Sequence, residues 1–274
     1  MPEPNETPTA LLLNAIKHVL EEGSTAALAT LTSAPRSVGA KILIPESGPA
    51  VGSFGDVALD KAVARRASEF LSARDETRLF QVRDVASELA NWSEASVLFE
   101  RLQPEPRLVI CGAGHVGAAL ARLASLTGYK ATLLDDRAEF VVRDLFPDVR
   151  IELIAAENWN EAVRQAIGNG RGVSVAIVTR GHNEDEECLR AVITTDPAYV
   201  GLIGSKRRTN IVLDRMREAG ADLEKLQKVH APVGLDIGAV TPEEVALAIL
   251  AEMVAERRGG RGGSLSSWRR ESRP

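Results

Sequence analysis

Gly112, Gly114 and Gly117 stand in the spacing G-x-G-x-x-G, directly after the apolar run Leu108, Val109 and Ile110. Each glycine has a separate task in a dinucleotide-binding turn. The first permits the tight bend, the second lets a pyrophosphate approach the backbone, and the third lets helix and sheet pack closely. The N–H groups that open the following helix then face negative charge. A second apolar run ends about twenty residues on at Asp135, where a carboxylate that binds a ribose diol belongs. That position favours NAD over NADP as a ligand. The turn alone does not choose between an enzyme, a sensor and a protein that holds another's cofactor.

Two other stretches belong at strand ends, where ligands of a doubly wound sheet collect. In "TRGHNEDEECL", Arg180, His182 and Asp185 offer a cation, an imidazole and a carboxylate. His182 and Asp185 are one helical turn apart and can share a ligand. Equally, Asn183 or Asp185 can cap a helix, with His182 an ordinary loop residue. In "GLIGSKRRTN", Gly204 and Ser205 lead into a helix whose first turn holds Lys206, Arg207 and Arg208. Cations oppose the helix dipole at that end, and a bound phosphate would remove the conflict. The alternative is a solvated basic face. A hydride-transfer reading needs a proton donor, and His182 or His115 would supply it. No catalytic residue is assigned beyond the candidates His182 and Asp185, and no metal site is expected.

The elements that must position these residues fall into two patterns. Residues 8–102 read as a small α+β domain, with helical spacing at 11–22, strand-like "STAALATLT" and "AKILIP", and an amphipathic "LDKAVARRASEFLSAR". The rigid "QPEP" at 103–106 marks a linker. From 107 to 257, short β-rich runs alternate with helical segments, which predicts an α/β domain with a Rossmann-like, doubly wound parallel sheet. Its last helix opens at Thr241, with Pro242 and Glu244 forming a capping signature. Residues 258–274 are rich in glycine, serine and arginine and are expected to form a flexible basic tail.

The chain has 274 residues, of which 45% are hydrophobic and 26% charged, enough for two globular cores. A net charge of −5 argues against a nucleic-acid binder. The apolar stretch near the N-terminus is short and lacks a basic leader, so the expectation is a cytoplasmic protein with no membrane association. Cys111 and Cys188 are far apart and show no zinc or disulfide spacing.

Taken together, "GAGHVG", "LLDDR", "TRGHNEDEECL", "YVGLIGSKRR" and "VHAPVGLDIGAVTPEEVALAILAEMVAER" resemble the XdhC/CoxI family of xanthine dehydrogenase accessory factors. The last stretch is the most specific, through His230, Pro232, Gly234, Leu235, Asp236, Gly238, Thr241 and Glu244. "TSAPRSVGAKILI" carries a weaker resemblance into the N-terminal half, where Arg36 is either an anion contact or a surface residue. The resemblance implies a chaperone that binds molybdenum cofactor, a phosphate-bearing pterin, supports its sulfuration and delivers it to a molybdenum hydroxylase apoenzyme. It also implies a homodimer, and a cysteine desulfurase or a cofactor nucleotidyltransferase as further partners. On that reading the cofactor contacts are drawn from Gly112, Gly114, His115, Gly117, Asp135, Arg180, His182, Gly204, Ser205, Lys206 and Arg207. The alternatives are an NAD-dependent oxidoreductase and a non-catalytic nucleotide-sensing module.

One segment departs from the family's G-x-x-G-G-G-C-x-E pattern. It reads "GSFGDVALD" at 52–60, with Asp56 and Val57 replacing glycines and Ala58 in place of cysteine. A thiol there could ligate molybdenum or carry sulfur. Ala58 cannot.

Overall fold

The computed structural model describes residues 7–73 and 75–266, and the distal part of the expected tail, 267–274, lies outside them. The chain divides into two compact units, Met1–Pro104 and Glu105–Pro274.

In the first unit α1 (Pro8–Glu21) precedes β1 (Ala26–Ser33), β2 (Lys41–Pro45) and β3 (Val51–Gly52). Then come α2 (Val57–Ser72), β4 (Thr77–Gln81), the single turn α3 (Val82–Val85) and β5 (Ser96–Leu102). The strands form one antiparallel sheet in the order β3-β2-β1-β5-β4. Alternation along β1 sends Ala27, Ala29 and Leu31 to one face, under Leu59, Val63 and Phe70 of α2. Ala26 and Leu28 face the other way, toward Val19 and Ile16 of α1. Phe99 of β5 is fully buried and meets Phe80 edge-on at 5.3 Å and Phe70 at 5.5 Å between ring centroids.

Asp56 starts α2. Its carboxylate accepts the N–H groups of Ala58 and Leu59, satisfying two donors that an open helix end leaves over. Asp56, one of the two residues that depart from the glycine run of the resemblance, is therefore a helix cap.

The second unit alternates strand and helix except between β7 and β8: β6 (Arg107–Cys111), α4 (His115–Leu126), β7 (Lys130–Asp135), β8 (Ile151–Ala155), α5 (Trp159–Ile167), β9 (Val173–Ile177), α6 (His182–Val192) and β10 (Tyr199–Leu202). It closes with α7 (Lys206–Glu218), α8 (Leu223–Gln227) and α9 (Pro242–Arg258). All strands are parallel, in the order β10-β9-β6-β7-β8. Both faces are covered. Leu108 and Ile110 of β6 pack with Leu120 and Ala124 of α4 and Ile249 and Met253 of α9, whereas Val109 and Cys111 meet Val163, Leu189 and Val212 from α5, α6 and α7. Such two-sided burial explains why these strands read as unbroken apolar runs. Thr241, Pro242 and Glu244 cap α9 as expected: the Thr241 hydroxyl accepts the Glu244 N–H, and the Glu244 carboxylate accepts the Thr241 N–H at 3.0 Å. The order reverses direction between β6 and β9, which opens a crevice at their carboxyl ends.

The buried aromatic cluster of the first unit predicts that Phe99→Ala costs about 3–5 kcal/mol of stability, read by denaturant unfolding of the full chain.

Candidate functional site

A cleft of about 320 Å³ lies at this crevice, bordered by Gly112, Gly114 and His115 after β6, Asp135, Asp136 and Arg137 after β7, and Thr179 and Arg180 after β9. Trp159, Glu184 and Arg208 are also part of its wall. The three glycines differ in what they require. Gly112 sits at φ +113°, and a Cβ there would stand 2.6 Å from the Val178 carbonyl oxygen. A Cβ on Gly117 would meet the Gly112 carbonyl oxygen at 1.8 Å, so that residue sets how closely α4 approaches the turn. Gly114 has an ordinary φ of −65° and nothing within 4 Å of a built Cβ. Neither the backbone nor the packing asks for glycine there. What its missing side chain does is leave the start of α4 open to the cleft. Gly114 is also the N-cap of α4, and no side chain caps that end, so its first N–H groups are presented to whatever occupies the cleft.

Asp135 is only 2% exposed and is fully engaged within the protein. Its carboxylate accepts the Ala113 N–H at 2.7 Å and the Arg137 N–H at 3.0 Å. It also accepts Arg137 Nε at 2.8 Å and an Arg137 terminal nitrogen at 3.0 Å. These four bonds fill the acceptor capacity of a carboxylate. The ribose contact expected of Asp135 therefore has no acceptor left, and its role is to pin the glycine turn to the end of β7. Burial pushes its pKa up, but the Arg137 guanidinium and the N–H groups outweigh burial and hold it below the ordinary 3.8.

Asp185 is likewise not at the mouth of the crevice. It is completely buried, accepts the Thr179 hydroxyl at 2.6 Å, and binds Arg208 through Nε at 2.9 Å and a terminal nitrogen at 2.6 Å. Burial raises its pKa above 3.8, opposed by those two partners. One cation of the basic first turn of α7 thus finds its anion inside the protein: Arg208 is neutralised by Asp185. Ser205 caps the helix by accepting the Arg208 N–H. A Cβ on Gly204 would stand 3.1 Å from the Arg208 side chain. Lys206 and Arg207 are exposed, and they and His182, also exposed, stand outside the cleft wall. Neither Asn183 nor Asp185 caps α6; Gly181 does, without a side-chain bond.

Of the expected site residues, the fold brings together Gly112, Gly114, His115, Asp135 and Arg180, with Gly117 beneath the turn. It adds Asp136, Arg137, Trp159 and Glu184. Asp136 and Arg137 were within reach of sequence reasoning, since both belong to the "LLDDR" stretch. Trp159 carried no signal: it opens α5, and its buried indole N–H has no partner among the described residues. Arg180 donates to Asp136 at 2.7 Å and to Glu184 at 3.2 Å.

The first unit has a smaller feature around the altered segment. The Asp56 carboxylate accepts the Trp92 indole N–H at 2.9 Å, the bond that chiefly holds its pKa below 3.8. Arg36 lies 3.9 Å from the same carboxylate and 5.0 Å from the Trp92 ring centroid. Asp60 closes the loop by accepting the Ser53 hydroxyl and the Phe54 N–H. Among the described residues, no cluster of three or more His, Cys, Asp or Glu side chains could hold a metal, and no helix is long and apolar enough to cross a membrane.

Comparison with known proteins sets this geometry among relatives. Residues 108–253 match the model described as the XdhC Rossmann domain, and residues 19–83 match that of the XdhC and CoxI family. An uncharacterized Escherichia coli protein, YqeB, is 34% identical over 84% of this chain and 42% of its own length. A probable xanthine dehydrogenase subunit of Bacillus subtilis is 29% identical, over 60% of this chain and 46% of that protein. The E. coli molybdenum cofactor insertion chaperone PaoD is 27% identical, over 57% and 41%. The chain thus spans less than half the length of these curated relatives. A crystal structure described as that of a xanthine dehydrogenase from Bacillus halodurans shares the fold, with a TM-score of 0.50 and 18% identity over 93% of this chain and 98% of that one.

Two outcomes are expected. Gly114→Ala costs less than about 1 kcal/mol of stability, whereas Gly117→Ala destabilises by about 1–3 kcal/mol. Equal losses of melting temperature in both variants would refute the separate roles. For Asp135, a lowered folded pKa means stability that is present above the unfolded value near 3.8 and lost as pH falls through the folded value. Asp135→Asn is therefore expected to lower the melting temperature at pH 7 and to flatten its decline below about pH 4.

Proposed function

The chain belongs to the XdhC and CoxI family, and from that membership we propose that it is an accessory protein that carries molybdenum cofactor to a molybdenum hydroxylase of the xanthine dehydrogenase type. The observation that carries this reading is the open Gly114 at the uncapped start of α4, within a cleft of about 320 Å³. A phosphate group seated there meets backbone N–H donors and the positive end of the helix. The cofactor is cargo in this scheme. The names of the B. subtilis and E. coli relatives, a xanthine dehydrogenase component and a cofactor insertion chaperone, point in the same direction.

Gly112, Gly114 and Gly117 shape the cradle, Asp135 and Arg137 hold it against the sheet, and Arg180 supplies positive charge at its edge. His115, the first residue of α4, is exposed beside the cleft and can donate to the cargo. Support of cofactor sulfuration and a cysteine desulfurase or nucleotidyltransferase partner belong to this proposal through the family, as does a homodimeric state. Ala58 leaves no thiol at the position where the resemblance leads one to expect cysteine, so this segment cannot itself carry sulfur.

The test is to express the chain in cells that make molybdenum cofactor, denature the purified protein in acid and identify the released small molecule by mass spectrometry. A phosphate-bearing pterin, lost in Gly114→Ala, is the expected result. Release of no pterin, together with failure of the tagged chain to retain a molybdenum hydroxylase, would overturn the proposal.

A further inference from the structure

The arginines of the cleft are not equivalent. Arg137 is tied to Asp135 and Arg208 to Asp185, both carboxylates almost wholly inside the protein. Arg180 is 47% exposed, and its partners Asp136 and Glu184 are partly exposed as well. Screened pairs of this kind are weak and readily exchanged for another anion. The carboxylates divide in the same way. Asp135 has no acceptor left, but Asp136 gives Arg180 one oxygen, and its other oxygen lies 4.0 Å from Arg137 Nε, outside hydrogen-bond distance.

The place of this pair gives it a consequence. Asp136 follows β7 and Arg180 follows β9, and β6 runs between those two strands in the sheet. The 2.7 Å bond therefore crosses the carboxyl end of β6, where Gly112 opens the turn, and both residues border the cleft beside Gly114. We propose that Arg180 and Asp136 form a strap over the glycine-rich turn, opened by a ligand that carries an anionic phosphate next to a hydroxyl or amino donor. The phosphate takes the Arg180 guanidinium, which suits phosphate oxygens better than a single exposed carboxylate oxygen. The donor takes the released Asp136. A simple anion satisfies only half of the exchange and leaves Asp136 without its Arg180 hydrogen bond, with only the long 4.0 Å pair to Arg137. Selectivity for phosphate esters with a neighbouring donor follows from the strap and requires no contact from Asp135.

The proposal rests on reading the cleft as a phosphate site, but its test needs no molybdenum cofactor. Inorganic pyrophosphate and ADP are titrated separately by calorimetry into the full chain and its variants. ADP carries ribose hydroxyls that pyrophosphate lacks, so the wild-type protein is expected to bind ADP more tightly. Arg180→Ala weakens both ligands about tenfold, the loss of one charge-assisted contact, and Arg180→Lys restores part of it. Asp136→Asn tightens pyrophosphate about threefold and abolishes the preference for ADP. Both side chains are solvent-facing, and melting temperatures within a degree or two of the wild type show that the variants are folded. The strap is overturned if Asp136→Asn weakens pyrophosphate, if Arg180→Ala changes neither ligand, or if the wild type binds neither. A protein that releases no pterin but shows the Asp136 effect would lose the delivery role and keep the strap. One that releases a pterin but lacks the effect would lose the strap alone.

Discussion

The bond from the Ala113 N–H to the buried carboxylate of Asp135 is the contact on which the second unit's site depends. It joins the turn after β6 to the end of β7, and Arg137 neutralises the charge that would otherwise be costly to bury. With the turn held this way, Gly117 can press against the Gly112 carbonyl and α4 starts at a fixed height above the sheet. The open N–H groups at Gly114 follow from that placement. An acidic residue that sequence spacing assigns to a ligand thus acts on the protein's own backbone, and it does so because it is out of reach of solvent.

Asp185 repeats the device on the other side of the crevice. The Thr179 hydroxyl and the Arg208 guanidinium converge on it, linking the end of β9, the first turns of α6 and the start of α7. Two internal carboxylates therefore brace the loops that surround the cleft. Each buried acid takes one arginine out of circulation, which leaves Arg180 as the cleft arginine whose partners are all accessible. The division between fixed and exchangeable charge is a matter of burial: the same arginine–carboxylate chemistry is structural where water is excluded and replaceable where it is not.

In the first unit, the segment that departs from the family resemblance is occupied with local structure. Where the resemblance leads one to expect glycines and a cysteine stand Asp56, Val57 and Ala58, and Asp56 uses its carboxylate to cap α2 and to hold the Trp92 indole. The loop before it is closed by Asp60 through Ser53 and Phe54. A segment so engaged with its own helix is a structural joint, and the departure has a local physical reason.

The sequence by itself determined the alternation of strands and helices in the second unit, the glycine turn, the cap at Thr241 and the resemblance to a family. These are legible because they depend on periodicities and on short-range spacing, which lie along the chain. It also placed Gly112, Gly114, His115, Asp135 and Arg180 near one another, through the rule that sites form at strand ends. What only the tertiary structure decided was which charges face inward. Asp135 and Asp136 are neighbours in sequence with the same side chain, yet one is buried with every acceptor taken and the other is partly exposed with an oxygen to spare. Asp185 and Arg208, read separately as ligand contacts, satisfy each other across 23 residues. Local sequence cannot reveal such pairings, because a carboxylate's availability is set by the groups that the fold brings around it.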